Sequence, residues 1–303
     1  MKLAAIDIGS NACRLLIQDV IQMPQGGVDF AKVALIRVPL RLGFDVFETG
    51  SILEHRAYML LNTMRAYKLL LDVYEVSHLK ACATSAMRDA NNAAELISDI
   101  SNETGIDIKV ITGQEEASFI YENHIAENLT DDSSYLYIDV GGGSTELTYF
   151  NKGKMVCKES FNIGTIRILK NQVHQNTWDE LKNFIRKNIS NNLNVKAIGS
   201  GGNINKIFSL SKRKEGKALP FSLLQDYYKE FSALTIPQRI SFYKLREDRA
   251  DVIVPALLIY INVMRWANAT EIFVPKIGLA DGLIHILYDE VKAAQKSAVP
   301  NLS

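Results

Sequence analysis

The first part of the chain alternates short apolar runs with amphipathic stretches. Apolar runs at 2–8, 14–20 and 33–38 are bounded by glycine or proline, and this pattern predicts three strands. From Glu54 to Tyr74 the large apolar residues recur at helical spacing, which predicts a long amphipathic helix. Shorter elements are predicted after it: a strand at His78–Ala83, a helix at Ala93–Thr104, a strand at Ile106–Ile111 and a helix at Glu115–Glu127.

After a polar turn at 131–134 the same order of elements begins again. Each half opens with an apolar strand that ends in Asp-x-Gly, at Asp7 and at Asp139, and the two turns lie roughly one domain length apart. The pattern then predicts strands at Tyr135–Val140, Thr145–Phe150 and Met155–Phe161, a helix at Trp178–Ile189, a strand at Val195–Gly199 and a helix at Ile204–Leu210. This repetition predicts two similar α/β domains.

The rest of the chain is mostly helical. The pattern predicts helices at Phe221–Ala233, Pro237–Tyr243 and Ala250–Ala267, a strand at Glu271–Pro275 and a last helix at Ala280–Ala293. The chain has 303 residues, which is more than one hydrophobic core usually serves. We therefore expect an N-terminal domain at 1–124 and a C-terminal domain at 125–303, and the last helix, at about 280–296, is a candidate to pack back on the first domain.

Composition narrows the class of partner. Hydrophobic residues make up 47% of the chain, charged residues make up 22%, and the formal net charge is zero. No overall field therefore attracts nucleic acid or a membrane surface, and a polyanionic substrate needs a local basic site. Cys13, Cys82 and Cys157 lie in apolar, strand-like runs and are predicted to be buried free thiols. No apolar run reaches membrane-spanning length, and a cytoplasmic protein is expected.

The most informative motif is the glycine-rich run that follows Asp139. Glycine lets backbone N–H groups approach an anion closely, and the hydroxyl residues after the glycines add side-chain donors. The candidate phosphate contacts are therefore Gly141, Gly142, Gly143, Ser144 and Thr145. Asp139 and Glu146 flank the loop and are candidate magnesium ligands, and Glu146 also suits a nucleophilic water. The alternative is a plain glycine-rich hairpin turn.

The equivalent loop of the first half is a second candidate phosphate cradle. It consists of Gly9, Ser10 and Asn11, and Asp7 before it is a further candidate metal ligand. Arg14 and Arg41 are candidate guanidinium contacts to phosphate, and a surface or ion-pair role is the alternative for each. Two such loops at equivalent places in two similar domains are expected to face each other across a cleft.

Two further segments follow predicted strands. In the first, Thr84, Ser85 and Arg88 surround a helix start, where they either cap the helix and form an ion pair or bind a phosphate. In the second, Glu115 and Glu116 open a helix and point about 100° apart, so that one can face the cleft. A carboxylate beside a polyanion has a raised pKa, which suits a general base for water. The alternative is that both acids simply favour the helix dipole.

A third glycine-rich turn lies at 199–203, between a predicted strand and a predicted helix. Gly201 and Gly202 in it are candidate phosphate contacts, although the turn has neither the P-loop nor the Rossmann spacing. The histidines show no metal-ligand spacing, and the basic segment 211–217 is interpreted as a solvated loop.

Together these motifs resemble the exopolyphosphatase/guanosine pentaphosphate phosphohydrolase (Ppx/GppA) family. They occur in family order over nearly the whole chain: 5–11 with Arg14, then 83–90, 113–117, 139–147, 162–167, 199–202, 249–253 and 278–283. The resemblance implies an α/β fold in which two ribonuclease-H-like domains of the actin/hexokinase/Hsp70 (ASKHA) superfamily surround an interdomain cleft.

The resemblance also implies a reaction. It implies Mg²⁺-dependent removal of the terminal phosphate from inorganic polyphosphate, or of the terminal 5′-phosphate from guanosine pentaphosphate. It implies a general base from the pair Glu115 and Glu116, with Glu116 preferred, and it assigns Asp139 and Glu146 to the metal and its water. No nucleic acid or membrane is implied as a partner, and a homodimer is left open.

The chain departs from the family pattern in three places. It lacks the C-terminal HD-like helical region of long members, so processive action on long polymers is not implied. Val254-Pro255-Ala256-Leu257 stands where the family has a glycine-rich step, and Ala280 stands where an arginine is frequent. Two alternative functions stay open: an ATP-dependent small-molecule kinase of the same fold, and a non-catalytic sensor of guanosine penta- or tetraphosphate. The presence of every candidate acid favours the hydrolase.

Overall fold

The computed structural model describes residues 1–121, 133–189, 195–275 and 278–298, and it contains two mixed β-sheets. The first sheet has the strand order β3-β2-β1-β4-β5. Strands β1 to β3 form an antiparallel meander, and β4 and β5 add to β1 in parallel. The bounds are β1 (Lys2–Ile8), β2 (Cys13–Gln22), β3 (Val28–Val38), β4 (His78–Ala83) and β5 (Ile108–Val110).

The second sheet repeats this arrangement in the order β10-β11-β9-β6-β7-β8. Strands β6 to β8 form the meander, and β9 and β11 are parallel to β6, so that β8-β7-β6-β9 corresponds to β3-β2-β1-β4. The bounds are β6 (Ser134–Val140), β7 (Thr145–Asn151), β8 (Lys154–Phe161), β9 (Val195–Ser200), β10 (Leu219–Pro220) and β11 (Glu271–Phe273). The predicted repetition of strand order is confirmed.

Helices connect the parallel strands, because such strands need a crossover. In the first half these are α1 (Gly43–Thr49), α2 (Glu54–Val73), α3 (Ser85–Asp89), α4 (Ala93–Thr104) and α5 (Gly113–Tyr121). The second half has α6 (Thr165–Leu169), α7 (Gln175–Asn188), α8 (Gly202–Leu210), α9 (Phe221–Ala233), α10 (Ile236–Tyr243), α11 (Glu247–Ala250), α12 (Ile253–Trp266) and α13 (Leu279–Ala298). In the described parts of the chain, no helix is both long enough and apolar enough to cross a membrane.

Each sheet has its own hydrophobic core, and a third cluster joins the two halves around α13. Leu283 and Ile284 of this helix are fully buried. They share the cluster with Leu3 of the first sheet and with Tyr137 and Ile198 of the second. The last helix therefore packs between the two sheets. The predicted domain boundary at 124/125 lies outside the described residues.

Several elements differ from the sequence prediction. The single helix predicted at Ala250–Ala267 is wrong, since α11 ends at Ala250 and α12 begins at Ile253. Pro255 explains the break, because proline is tolerated in the first turn of a helix but not in its interior. Strand β3 begins at Val28 rather than 33, because it pairs with β2 out to Gln22.

Some short elements were missed altogether. Helices α1, α3 and α6 have only five to seven residues, too few to show a helical period. The two-residue strand β10 was also missed. Helix α5 starts two residues before the predicted Glu115. Its predicted extension beyond Tyr121 lies outside the described residues. Residues 131 and 132 of the predicted polar turn also lie outside them. All three cysteines are free; Cys13 and Cys82 are buried as predicted, whereas Cys157 is half-buried.

Candidate active site

Four side chains form a row across four adjacent strands of the second sheet. Asp139 on β6 is the direct cross-strand partner of Glu146 on β7, which is in turn the partner of Ser160 on β8. On the other side, Asp139 is the partner of Ser200 on β9. Directly opposite residues project from the same face of a sheet. The row is therefore hydroxyl, carboxylate, carboxylate, hydroxyl, and we call it the acidic row.

Hydrogen bonds run along the acidic row. The Ser200 hydroxyl donates to Asp139 Oδ1 at 2.6 Å, and the Ser160 hydroxyl donates to Glu146 Oε1 at 2.9 Å. The second carboxylate oxygen of Glu146, Oε2, is buried and has no hydrogen-bond partner among the described residues. An unpaired buried carboxylate oxygen is costly and implies a cation, a proton or a water at that point.

Helix α5 brings Glu116 to the acidic row. The Glu116 side chain is buried, and its Oε2 also lacks a partner among the described residues. Glu116, Asp139 and Glu146 each offer an oxygen, and these three atoms lie within 4.8 Å of one another. Gly113 makes this approach possible, because a Cβ there would lie only 2.3 Å from Ser160 Oγ. Three carboxylates from β6, β7 and α5 thus converge on one point.

Glu115, the neighbouring acid, points away from this cluster. Its carboxylate accepts hydrogen bonds from Lys109 Nζ and from the backbone N–H of Thr112, both at 2.8 Å. These bonds lower its pKa to about 2. The side chain is exposed, so it acts as a surface ion pair and as a cap for the start of α5.

Burial and mutual repulsion raise the pKa values of the converging carboxyl groups. Desolvation, followed by the charges of Glu146 and Asp139, raises the pKa of Glu116 well above its ordinary value. Desolvation and the charge of Asp139 raise the pKa of Glu146 to about 7, although the nearby hydroxyls of Ser144 and Ser160 oppose the shift. Burial also raises the pKa of Asp139, against the Ser200 hydrogen bond. A cation between these groups relieves the repulsion.

The first sheet carries a row at the equivalent positions, and it also contains an aspartate, but arginines stand where the second sheet has Glu146 and Ser160. Asp7 on β1 is the cross-strand partner of Arg14 on β2, and Arg14 is the partner of Arg37 on β3. Arg14 Nη1 donates to Asp7 Oδ2 at 2.9 Å. We call Asp7, Arg14 and Arg37 the basic row. Burial raises the pKa of Asp7 despite the neighbouring Arg14.

Arg37 has nitrogen donors without a partner among the described residues. One of its nitrogens, Nη2, pairs with the carboxylate of Asp248, whereas Nε and Nη1 are buried and have no partner among the described residues. Arg249 lies beside it against Gly202, and burial together with the charge of Arg37 lowers the pKa of Arg249 to about 10. The cluster of Arg14, Arg37 and Arg249 therefore attracts an anion.

The two predicted loops have the same turn and face each other. Gly9 N–H donates to the Ala12 carbonyl at 3.0 Å, and Gly141 N–H donates to the Ser144 carbonyl at 2.9 Å. A Cβ at Gly142 would lie 2.9 Å from the Ser10 Cβ, so glycine is needed where the loops meet. On the first-half side, the Ser10 and Ser85 hydroxyls lie 2.7 Å apart.

Most of the predicted site residues line one cleft of about 100 Å³. These are Asp7, Gly9, Ser10, Asn11, Arg14, Thr84, Ser85, Glu116, Asp139, Gly141, Gly142, Ser144, Gly201 and Gly202. Glu146 adjoins the cleft through its contact with Glu116 and Asp139. Asp7 lies across the cleft with Arg14, outside the group of three carboxylates.

Four other predicted residues do not line this cleft, and their contacts lie next to it. Arg41 pairs with Asp251 and stacks on a phenylalanine ring, and Arg88 Nη1 donates to the Ile111 carbonyl at 2.9 Å. The Thr145 hydroxyl donates to the Ile163 carbonyl at 2.5 Å. Gly143 packs so tightly that a Cβ would lie 2.3 Å from the Ser85 hydroxyl.

Sequence reasoning missed Arg37, Arg249 and Asn203, which also line the cleft. Arg249 lies within a motif that the family resemblance includes, but no role was assigned to it. Arg37 had a weaker signal, which is its place on a strand beside the one that carries Arg14. Its orientation depends on the register between β2 and β3, which contains an irregularity between Ile17 and Gln18.

Comparison of the sequence with known proteins identifies a phosphatase family and curated relatives. The sequence profile of the Ppx/GppA phosphatase family matches residues 20–292. The chain is 30% identical to the bifunctional 3-dehydroquinate synthase/phosphatase of Fusobacterium nucleatum over 70% of its own length and 34% of that protein. It is also 30% identical to exopolyphosphatase 2 of Mycobacterium tuberculosis, over 57% of its own length and 55% of that protein. The chain thus spans between about a third and about half of these curated relatives.

Solved structures match over almost the whole chain. An exopolyphosphatase from Cytophaga hutchinsonii matches with a TM-score of 0.82 and 25% identity, over 97% of this chain and 98% of that one. The Aquifex aeolicus member of the Ppx/GppA family matches with a TM-score of 0.74 and 26% identity, over the same shares. These matches confirm the predicted two-sheet α/β fold of the ASKHA type. From the family profile across residues 20–292, the chain belongs to the Ppx/GppA phosphatase family.

Proposed function

We propose that the chain is a Mg²⁺-dependent phosphohydrolase that removes the terminal phosphate from inorganic polyphosphate, from guanosine pentaphosphate, or from both. One observation carries the proposal. Glu116 and Glu146 each have a buried Oε2 atom that lacks a partner among the described residues, and together with Asp139 they form a cluster of three carboxylates that adjoins a cleft lined by glycine loops and arginines. Phosphoanhydride cleavage needs positioned phosphates, charge neutralisation and an oriented water. The loops and arginines suit the first two needs, and the carboxylates suit a metal ion and the water.

The acidic row fits a magnesium ion. Asp139 and Glu146 supply carboxylate oxygens, the ligand type that Mg²⁺ prefers, and Glu146 Oε2 is buried without a partner among the described residues. These two residues would hold the ion. When bound, it would neutralise charge on the phosphate oxygens.

Glu116 is the proposed general base. Its carboxylate approaches the acidic row from α5, which is a different element from the strands that hold Asp139 and Glu146. Burial and the neighbouring carboxylates raise its pKa well above the ordinary value, which makes it a stronger proton acceptor once it is ionised. Glu116 would hold a water and accept its proton as that water attacks the terminal phosphorus.

The glycine loops and the basic row are the proposed phosphate contacts. Backbone N–H groups around Gly9 and Gly142 and the hydroxyls of Ser10 and Ser144 line the cleft from opposite sides. Arg14 and Arg37 add positive charge at its first-half wall. A phosphate chain in this cleft would meet donors on both sides, which orients its terminal group toward Glu116.

Glu116→Gln, compared with Glu115→Gln, tests the assignment. Both changes remove one negative charge at adjacent positions, but Glu116 is buried in the cluster, whereas Glu115 is an exposed partner of Lys109. We expect Glu116→Gln to lower kcat for phosphate release by at least about 10²-fold with substrate binding retained, because a general base typically supplies that factor. Glu115→Gln should stay within about 2-fold of wild type, as exposed ion pairs contribute little.

Phosphate release is measured with Mg²⁺ and without any acceptor, on polyphosphate, guanosine pentaphosphate, short oligophosphates and other nucleotides. Release without an acceptor distinguishes a hydrolase from a kinase of the same fold. Tight nucleotide binding without turnover on any substrate would indicate a sensor. Near-normal turnover of Glu116→Gln would overturn the assignment of the base, and a large loss in Glu115→Gln would exchange the two roles.

A further inference from the structure

We propose that Ser160 and Ser200 are positioning residues that fix the orientation of the two metal-binding carboxylates from the two ends of the acidic row. The proposal rests on the proposed metal-dependent function and deepens it. It makes the metal site a property of four neighbouring strands rather than of the two acids alone.

Each hydroxyl holds one oxygen of one carboxylate. Ser160 donates to Glu146 Oε1 at 2.9 Å, and this leaves Oε2 free of partners among the described residues. Ser200 donates to Asp139 Oδ1 at 2.6 Å. The terminal torsion of a carboxylate side chain is broad, so rotamer preference alone does not fix the orientation of the carboxylate plane. The two hydrogen bonds fix that orientation and direct the other oxygen of each group.

The two serines are themselves held in place. Ser200 precedes the glycine turn at Gly201, and its carbonyl accepts a hydrogen bond from the hydroxyl of Tyr260, a buried residue of α12. Ser160 is pressed against the start of α5, where a Cβ on Gly113 would come within 2.3 Å of its hydroxyl oxygen. Ser160 therefore contacts both Glu146 and the helix that carries Glu116.

Residues that form a hydrogen bond with a metal ligand orient that ligand. Removing such a residue typically changes metal affinity or activity by about 10–100-fold. Ser160→Ala and Ser200→Ala should each remove one such partner.

The matched control is Ser134→Ala. The Ser134 hydroxyl forms a 3.0 Å hydrogen bond with Asn151 Oδ1, its direct partner across β6 and β7, at the other end of these strands. This change therefore removes a cross-strand hydrogen bond of the same kind within the same sheet, between β6 and β7, away from the acidic row. Thermal unfolding of all three variants measures the structural cost separately.

The experiment is calorimetric titration of the intact protein with Mn²⁺ alone. We expect Ser160→Ala and Ser200→Ala to weaken Mn²⁺ binding at least about tenfold, and Ser134→Ala to leave it unchanged. In a Glu146→Gln background, Ser160→Ala should cause no further loss while Ser200→Ala still does, because Ser160 acts through Glu146. A merely structural effect of Ser160 would add in both backgrounds.

The outcomes separate this proposal from the proposed function. If wild type binds Mn²⁺ and Ser160→Ala and Ser200→Ala bind it equally well, the positioning roles are wrong while the metal-dependent function stands. The same conclusion follows if Ser134→Ala weakens binding as much as they do. If wild type binds no Mn²⁺, the metal-dependent function itself fails, and the positioning roles fail with it.

Discussion

At equivalent positions the two sheets of this protein share an aspartate, but the neighbours of that aspartate differ in charge. In each half, the strand that ends in Asp-x-Gly carries an aspartate, and the partner of that aspartate lies seven residues later on the next strand. In the first half this partner is Arg14, and in the second it is Glu146. One strand further along, the first half has Arg37 and the second has Ser160.

The difference shows how a repeated fold builds an asymmetric site. A polyphosphate chain presents many negative charges, whereas its hydrolysis needs a cation and a base at one end only. Under the proposed function the two rows would supply these needs separately, because the basic row would attract an anion and the acidic row would hold a cation. Two identical acidic rows would repel the substrate, and two basic rows would leave no site for a metal.

The largest expected effect that tests this comparison comes from Glu146→Gln. The change keeps the shape of the side chain and removes the charge that we assign to the metal. We expect kcat to fall at least about 10²-fold, since a metal ion is worth several kcal/mol of charge stabilisation in the reaction.

Phosphate-release kinetics at increasing Mg²⁺ measure this effect. The control is the Michaelis constant for polyphosphate at saturating Mg²⁺, which should stay near the wild-type value because the basic row is unchanged. A variant that kept its kcat and its Mg²⁺ requirement would show that the acidic row is not the metal site.

A smaller effect of a different kind is expected from the basic row. Arg37→Lys keeps a positive charge beside Asp248 but removes the two buried donors, Nε and Nη1, that have no partner among the described residues. We expect the Michaelis constant for polyphosphate to rise by about tenfold, the worth of one hydrogen bond to a charged group, while kcat changes little.

Steady-state kinetics on polyphosphate measure the change in the Michaelis constant, and Mn²⁺ affinity is the control because it should stay at the wild-type value. A fall in Mn²⁺ affinity with an unchanged Michaelis constant would contradict the division of labour between the two rows.

Much of this site could be predicted from the sequence, and the reasons are local. Asp139 and Glu146 flank a short glycine loop, and a hairpin of that length pairs them directly across β6 and β7. The apolar run before each Asp-x-Gly predicted a strand, and the repetition of strand order predicted that the two loops correspond. The preference for Glu116 over Glu115 came from the family resemblance, since helical geometry alone left both open.

Other parts of the site depend on register and on long-range contacts, which the sequence does not show. Ser160 reaches Glu146 only because β7 and β8 pair at that register, with an irregularity between Tyr149 and Phe150. For Arg41 the sequence left a phosphate contact and an ion pair open, and the acid that pairs with it, Asp251, lies far away in the sequence. Arg41 and Asp251 come together only when the two halves pack.

The smallest expected effect is a difference between the two rows in how stability depends on pH. Glu146 in the acidic row titrates near neutrality, whereas the arginines of the basic row do not. Folding raises the pKa of Glu146 to about 7, so the folded state binds this proton more tightly than the unfolded state does. The unfolding free energy of the metal-free protein should therefore fall as pH rises from the ordinary glutamate pKa of about 4.5 through about 7. Glu115, whose pKa is lowered to about 2, changes stability only below this range.

Thermal unfolding in a chelator, compared between wild type and Glu146→Gln, isolates the titration of Glu146 together with the carboxyl groups beside it, Glu116 and Asp139. We expect the stability of Glu146→Gln relative to wild type to increase as pH rises, because the variant has no charge to desolvate at that position. Added Mg²⁺ should stabilise wild type more at high pH than at low pH, since metal ligands must be deprotonated. The same comparison on Arg37→Lys should give a difference that is independent of pH. A pH-dependent difference there, or none in Glu146→Gln, would show that the raised pKa values do not belong to the acidic row.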